Sequence, residues 1–272
     1  MQPPEKTETS RPSLRRQDGV CTIKNFAFAS GERIDELRLH YTTLGTPAYD
    51  AAGQICNAVL LLHSSTSNRM QWVTGALERS LFGPGQVLDA GRYFIIAPDL
   101  IGHGQSSKPS DGLRTRFPRY RCRDMAAAAH LLVTQGLKVN RLQLVMGTSL
   151  GAMLTWVWGQ MYPESAARLV PIGAYPLPLG GRNWIGRRMM IEAIRHDPAW
   201  VNGDYEQRPN SYLYTAPLLT LMAQSVQQLM DLAPDQRSAD RYYGQLLKRV
   251  AQHDTNDLLY ILEATQDYNP TV

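Results

Sequence analysis

Residues Leu142–Gly151 read L-Q-L-V-M-G-T-S-L-G, a short apolar run that ends abruptly in a serine set between two glycines. No other stretch constrains the fold as much. The run has the length and composition of a buried strand, and Leu150 to Tyr162 has the texture of a helix stopped by Pro163. A strand that turns into a helix within a residue or two leaves little room at the bend. Side chains at Gly147 and Gly151 would collide with neighbouring elements, and Ser149 would take strained backbone angles. Such a bend lifts the Ser149 hydroxyl above the carboxyl end of the strand. It also aims the Leu150 backbone N–H, at the start of a helix, at the same point. Ser149 is therefore the candidate nucleophile.

The rest of the chain supplies the sheet that such a strand needs. Asn57 to His63, Tyr93 to Ala97, Arg141 to Met146 and Leu169 to Ala174 are continuous apolar runs, the form taken by parallel strands covered on both faces. Thr22 to Phe28 and Glu36 to Leu44 alternate instead, as half-buried strands do. Arg121 to Gln135 has Met125, Ala129, Leu132 and Val133 at helical spacing. Strands alternating with helices predict the α/β class, a mostly parallel sheet flanked by helices. At Tyr175 the texture changes. Pro176, Pro178, Gly180 and Gly181 break the chain, and residues from about 182 to 262 are helical in character, as a cap would be. The predicted organisation is a disordered tail over residues 1–18, an α/β core over 19–174 and a helical cap over 175–272.

Composition excludes several classes. The 272 residues are 43% hydrophobic and 19% charged, ordinary for a globular chain with a large core. The net charge of +4 comes without the aromatic and basic pattern of a nucleic-acid-binding module. Cys21, Cys56 and Cys122 are odd in number and widely spaced, so neither a disulfide framework nor a metal site is expected. The polar N-terminal segment lacks the apolar run of a secretory signal or a membrane helix, which predicts a cytoplasmic protein without membrane contact.

Two loops border the serine. His63-Ser64-Ser65-Thr66 ends the first apolar strand, and in this architecture it gives a second backbone N–H facing the serine. Ser65 is the expected donor and Thr66 the alternative, with His63 shaping the loop. Asp99-Leu100-Ile101-Gly102-His103-Gly104-Gln105-Ser106 follows the next strand and reads as structural, with His103 a poor candidate for a base. His40, His130, His196 and His253 read as surface or core residues.

LRLHYTTLGTP (37–47), LFGPGQVLDAGRYFIIAPDLIGHGQSSKPSDGLRTRFPRY (81–120), DM (124–125), LVMGTSLGAMLTWVWGQMYPE (144–164), GRNWIGRRMMIEAIRHDPAW (181–200) and DTNDLLYILEATQDYNP (254–270) together resemble the homoserine O-acetyltransferase family of α/β hydrolases. The resemblance spans about 22 to 270. It implies an α/β-hydrolase fold with a helical cap, and a two-step acyl transfer. Ser149 attacks a small-molecule ester or acyl substrate while the Leu150 and Ser65 N–H groups hold the oxyanion. It implies no bound cofactor, with acetyl-CoA or another acyl thioester as an optional co-substrate, and a homodimer through cap helices. Arg182 and Arg187, with Arg188 and Arg195, are candidates for a substrate carboxylate or phosphate.

The sequence departs from this family at two places. Gly102-His103-Gly104 stands where the acetyltransferases carry a Gly-Gly-Cys type loop. The family's acid and histidine follow strands beyond the cap, so the triad Asp and His have no matching positions up to Val272. The expectation is a C-terminally incomplete chain, with the last strands of the fold missing and the strand at 169–174 an unpaired apolar edge. A truncated or frameshifted reading frame is the favoured expectation, over a chain that simply stops short and over a genuine non-catalytic descendant. Activity is then impaired, and the alternative is a non-catalytic binding protein or an inactive fragment.

Overall fold

The computed structural model describes residues 15–271. Two long strands open the chain, β1 (Arg16–Ala27) and β2 (Arg33–Leu44), followed by β3 (Ala58–Leu62), the short helices α1 (Met70–Val73) and α2 (Gly75–Leu81), and β4 (Phe94–Pro98). Then come α3 (Cys122–Leu131), β5 (Leu144–Thr148), α4 (Leu150–Met161) and β6 (Leu169–Ile172). The cap follows as α5 (Gly181–Arg195), α6 (Pro217–Ala223), α7 (Val226–Leu232), α8 (Gln236–Val250) and α9 (Thr255–Glu263).

The six strands form one sheet in the order β1-β2-β4-β3-β5-β6. β1 with β2 and β2 with β4 are antiparallel, and the other pairs are parallel. Every residue of β3 and β4 is buried, as the unbroken apolar runs require. The main core lies on one sheet face, where Leu60, Leu62 and Ile96 meet Met125 and Ala129 of α3 and Leu154 and Trp158 of α4. The opposite face carries a second cluster in which Val59, Leu61 and Ile95 pack on Trp72, Val73 and Phe82.

The cap has its own apolar centre, built from Met190, Ile191 and Ile194 of α5, Tyr212 and Ala216, and Leu258, Leu259 and Leu262 of α9. Helix α9 is buried along its whole length because it serves both layers. Tyr260 and Ala264 face the main core, and the Tyr260 hydroxyl donates to the Phe117 carbonyl at 2.7 Å. Glu263 is gripped by Arg119 at 2.8 Å and by Arg195 at 2.6 Å. Helix α9 thus seats the cap over the loops at the carboxyl ends of the strands.

Three expectations differ from the structure. The predicted tail overlaps β1: Arg16, Gln17 and Asp18 pair with Leu44, Thr43 and Thr42 of β2, and only residues 1–14 of that tail lie outside the described residues. Backbone pairing with a half-buried neighbour holds this edge strand, so its polar side chains gave no periodic signal. The helix expected over 121–135 ends as α3 at Leu131 and continues as a wider turn over Leu132–Gly136. Strand β5 runs two residues further than expected, to Thr148, so it reaches the serine directly. The three cysteines are free, and no described helix is long and apolar enough to cross a membrane.

Candidate active site

Ser149 is the single residue between β5 and α4, with φ 52° and ψ −111°. A positive φ at a residue with a Cβ costs on the order of 1–3 kcal/mol, so the surrounding structure must enforce it. The glycines allow that enforcement. A Cβ on Gly147 would stand 2.2 Å from the Gly151 carbonyl, and one on Gly151 would stand 2.2 Å from the Leu62 carbonyl oxygen. Strand, bend and helix are therefore in backbone contact. The Ser149 N–H donates to the Ile172 carbonyl at 2.9 Å and its carbonyl accepts from Met153 N–H at 3.0 Å. With the main chain held at both ends, the half-buried hydroxyl makes no hydrogen bond to any of the described residues.

Two backbone donors stand unused beside it. Leu150 is the first residue of α4, so its N–H has no carbonyl one turn back to bond with. In the loop after β3, the Ser64 N–H is taken by Gln71 Oε1 at 3.0 Å, whereas the Ser65 N–H has no partner among the described residues. Four side chains fix that loop. His63, fully buried, donates from Nδ1 to the Ser64 carbonyl at 2.9 Å while its Nε2 accepts from Leu100 N–H at 3.0 Å. One nitrogen donates and the other accepts, which is the neutral ring; burial and the neighbouring His103 hold its pKa well below the usual value. His103 Nε2 lies 3.0 Å from the Ser65 carbonyl and its Nδ1 2.9 Å from that of Ile101. Both ring nitrogens of His103 face carbonyl oxygens, and the buried ring, its pKa lowered by desolvation, has one N–H to give to one of them, so neither nitrogen is aimed at Ser149 as a base. Gln71 bridges the two halves of the site, accepting from Ser64 N–H and Oγ–H (2.8 Å) and donating from Nε2 to Thr148 Oγ1 at 2.7 Å. Arg187 Nη2 reaches Ser65 Oγ at 3.4 Å.

The Asp99 loop anchors this arrangement from behind. Asp99 is fully buried, accepts from the Arg69 backbone N–H at 2.7 Å and pairs with Arg69 Nη1 at 2.5 Å. Ser106 Oγ donates to the Asp99 carbonyl at 2.8 Å.

Ser149, Ser65, Thr66 and Arg187 line one cavity of about 710 Å³. Its floor is the 64–68 loop and Ser149, and its roof is the cap, through Met190, Leu219, Leu246 and Leu258. Arg249 and His253 also line it, and no described aspartate or glutamate does. The cavity therefore brings the predicted nucleophile, Ser65 and one of the two predicted arginines together, while Leu150 adjoins Ser149 in the chain without lining the cavity. Arg182 is not among them: it is exposed at the start of α5 and lines no part of the cavity. It stands five positions before Arg187 on the helix, roughly 140° around the axis, so the two cannot share a face. Arg188 and Arg195 pair instead with Glu192 and Glu263. His253, read from sequence as a surface or core residue, forms part of the wall. Gln71 escaped sequence reading because its partners lie 7 and 77 positions away and no motif contains it.

Known proteins fit this geometry. A family model described as "alpha/beta hydrolase fold" matches residues 57–269. The homoserine O-acetyltransferase of Chlorobaculum parvum is 33% identical over 75% of this chain and 58% of its own length. The chain thus spans somewhat over half of that relative. Among solved structures, the acetyl esterase MekB superimposes with a TM-score of 0.79 at 25% identity, covering 94% of this chain and 74% of the esterase. Homoserine O-acetyltransferase from Bacillus anthracis shares the fold with a TM-score of 0.78, 21% identity, and 93% and 76% coverage. The chain belongs to the α/β-hydrolase fold family, and within it is similar in sequence to homoserine O-acetyltransferases.

Proposed function

We propose that this chain carries the acyl-accepting half of a serine-dependent ester hydrolase. Ser149 Oγ bonds to the carbonyl carbon of a small-molecule ester, and the alcohol leaves with a proton as the acyl-serine forms. Water then releases the acid. The Leu150 and Ser65 N–H groups take the charge on the carbonyl oxygen, at a helix start whose dipole favours it. One observation carries the reading: a serine held at φ 52° with an unused hydroxyl beside two unused backbone donors, on the floor of a cavity. Hydrolysis is favoured over transfer to homoserine because the loop after β4 is Gly102-His103-Gly104, with His103 spent on positioning Ser65.

Among the described residues no imidazole is hydrogen-bonded to Ser149, so the serine proton has no built acceptor and turnover is impaired. An oxyanion hole and binding alone leave on the order of 10³–10⁴-fold catalysis over water. A fluorophosphonate probe is therefore expected to label the folded chain slowly, at Ser149, and not to label S149A. Absence of labelling in a folded, monodisperse preparation, or labelling at another residue, refutes the proposal.

A further inference from the structure

Arg187 is 4% exposed, yet every partner it has is neutral. Its Nε donates to Asn183 Oδ1 at 3.0 Å and its Nη2 makes the 3.4 Å contact with Ser65 Oγ. Its Nη1 is buried with no partner at all. No carboxylate pairs with it among the described residues. Burial lowers its pKa to about 10, which still leaves it charged at neutral pH. A buried cation without a counter-ion is expensive, and folded proteins ordinarily provide one.

The position is not accidental packing. Arg187 lies three, four and seven residues before Met190, Ile191 and Ile194, on the buried stripe of α5 where an apolar residue would cost nothing. It lines the cavity that contains Ser149. Asn183 holds Nε and so orients the fork. The end-on pair, Nη1 and Nη2, is left with one weak contact to a hydroxyl. Two parallel N–H groups at the end of a guanidinium match the two oxygens of a carboxylate. The absence of acidic side chains from the described lining, together with Arg249, makes the cavity favourable to an anion.

We propose that Arg187 is the docking point for a carboxylate carried by the substrate, so that the preferred class is an ester bearing a free carboxylate on a short apolar chain. The carboxylate completes the ion pair that the chain leaves open, and the apolar chain lies against Leu219, Leu246 and Leu258. The ester part of this assignment rests on the reading of Ser149, whereas the carboxylate part does not.

The test uses binding to S149A, so that turnover plays no part. Monomethyl glutarate carries the ester and the carboxylate; dimethyl glutarate is the same molecule without the charge. By calorimetric titration, S149A is expected to bind the monomethyl ester at least about tenfold more tightly than the dimethyl ester, the worth of one charge-assisted pair. In S149A/R187M that preference is expected to vanish, with R187Q in the same background carried in parallel as a second, polar replacement. Without ligand, R187M is expected to melt no lower than the parent, because an uncompensated charge has been removed. Equal affinity for the two esters, no binding of either, a preference that survives both replacements, or tighter binding of inorganic phosphate than of the monomethyl ester would each overturn the assignment. Failure of fluorophosphonate labelling alongside a retained preference would remove the ester chemistry and leave the carboxylate site standing.

Discussion

Two arginines, one half-buried in the core loops and one buried in the cap, are treated in opposite ways. Arg69, with a side chain 11% exposed, has its charge met by Asp99 and its remaining donors taken by Thr42 Oγ1 at 3.1 Å and Gln105 Oε1 at 2.7 Å. Arg187 in α5 is more deeply buried and has only an amide oxygen and a hydroxyl. The difference separates two kinds of part. The strand-end loops are electrostatically closed, which keeps the oxyanion loop and the bend in one geometry. The cap is electrostatically open at Arg187, since Arg188 and Arg195 have carboxylate partners and Arg187 has none among the described residues.

Breaking the closed side should have the largest effect. Asp99→Asn leaves the largely buried Arg69 with only the exposed Asp18 at 3.8 Å as counter-ion, and the expected loss is about 3 kcal/mol in urea unfolding, against a neutral or favourable change for R187M. A loss below 1 kcal/mol would show that water reaches Arg69 and would erase the contrast. The next effect concerns positioning. Gln71→Ala releases both Ser64 and Thr148, and should slow fluorophosphonate labelling of Ser149 about tenfold, less than the 10²–10³ attributed to losing an oxyanion donor outright. Gln71→Glu keeps the acceptor for Ser64, so it should recover part of the rate. Slowing that merely tracked the unfolded fraction would assign Gln71 to stability alone. The smallest effect is at the bend. Ser149→Gly removes the cost of a positive φ and should stabilise the fold by about 1 kcal/mol while abolishing labelling. A destabilised S149G would mean that the serine hydroxyl supports the fold.

The closed half was also the more readable half. Strands β3 and β4 announce themselves as apolar runs because both faces are covered, and the bend announces itself because only glycine fits at Gly147 and Gly151. The fold family follows from those residues. Strand β1 was only partly legible, since its burial begins at Cys21 and Ile23 and its first residues are held by backbone pairing, which leaves no trace in side-chain pattern. Within the site, Ser149, Leu150 and Ser65 follow from local motif chemistry. The Gln71 bridge depends on three segments meeting and has no local signal. Arg187 did have one: a cation on an otherwise apolar helical stripe, which separates it from Arg182 without any structure.

The hydrogen bond from Ser149 N–H to the Ile172 carbonyl joins the bend to β6, the outermost strand of the described sheet. Val170 and Ile172 on that strand are exposed at 38% and 47%. The reactive residue is thus one bond away from the sheet's open margin. The bond lies on the inner edge of β6, facing β5, so the bend is tied to the last strand of the described sheet from the protected side while the other edge of that strand is left uncovered.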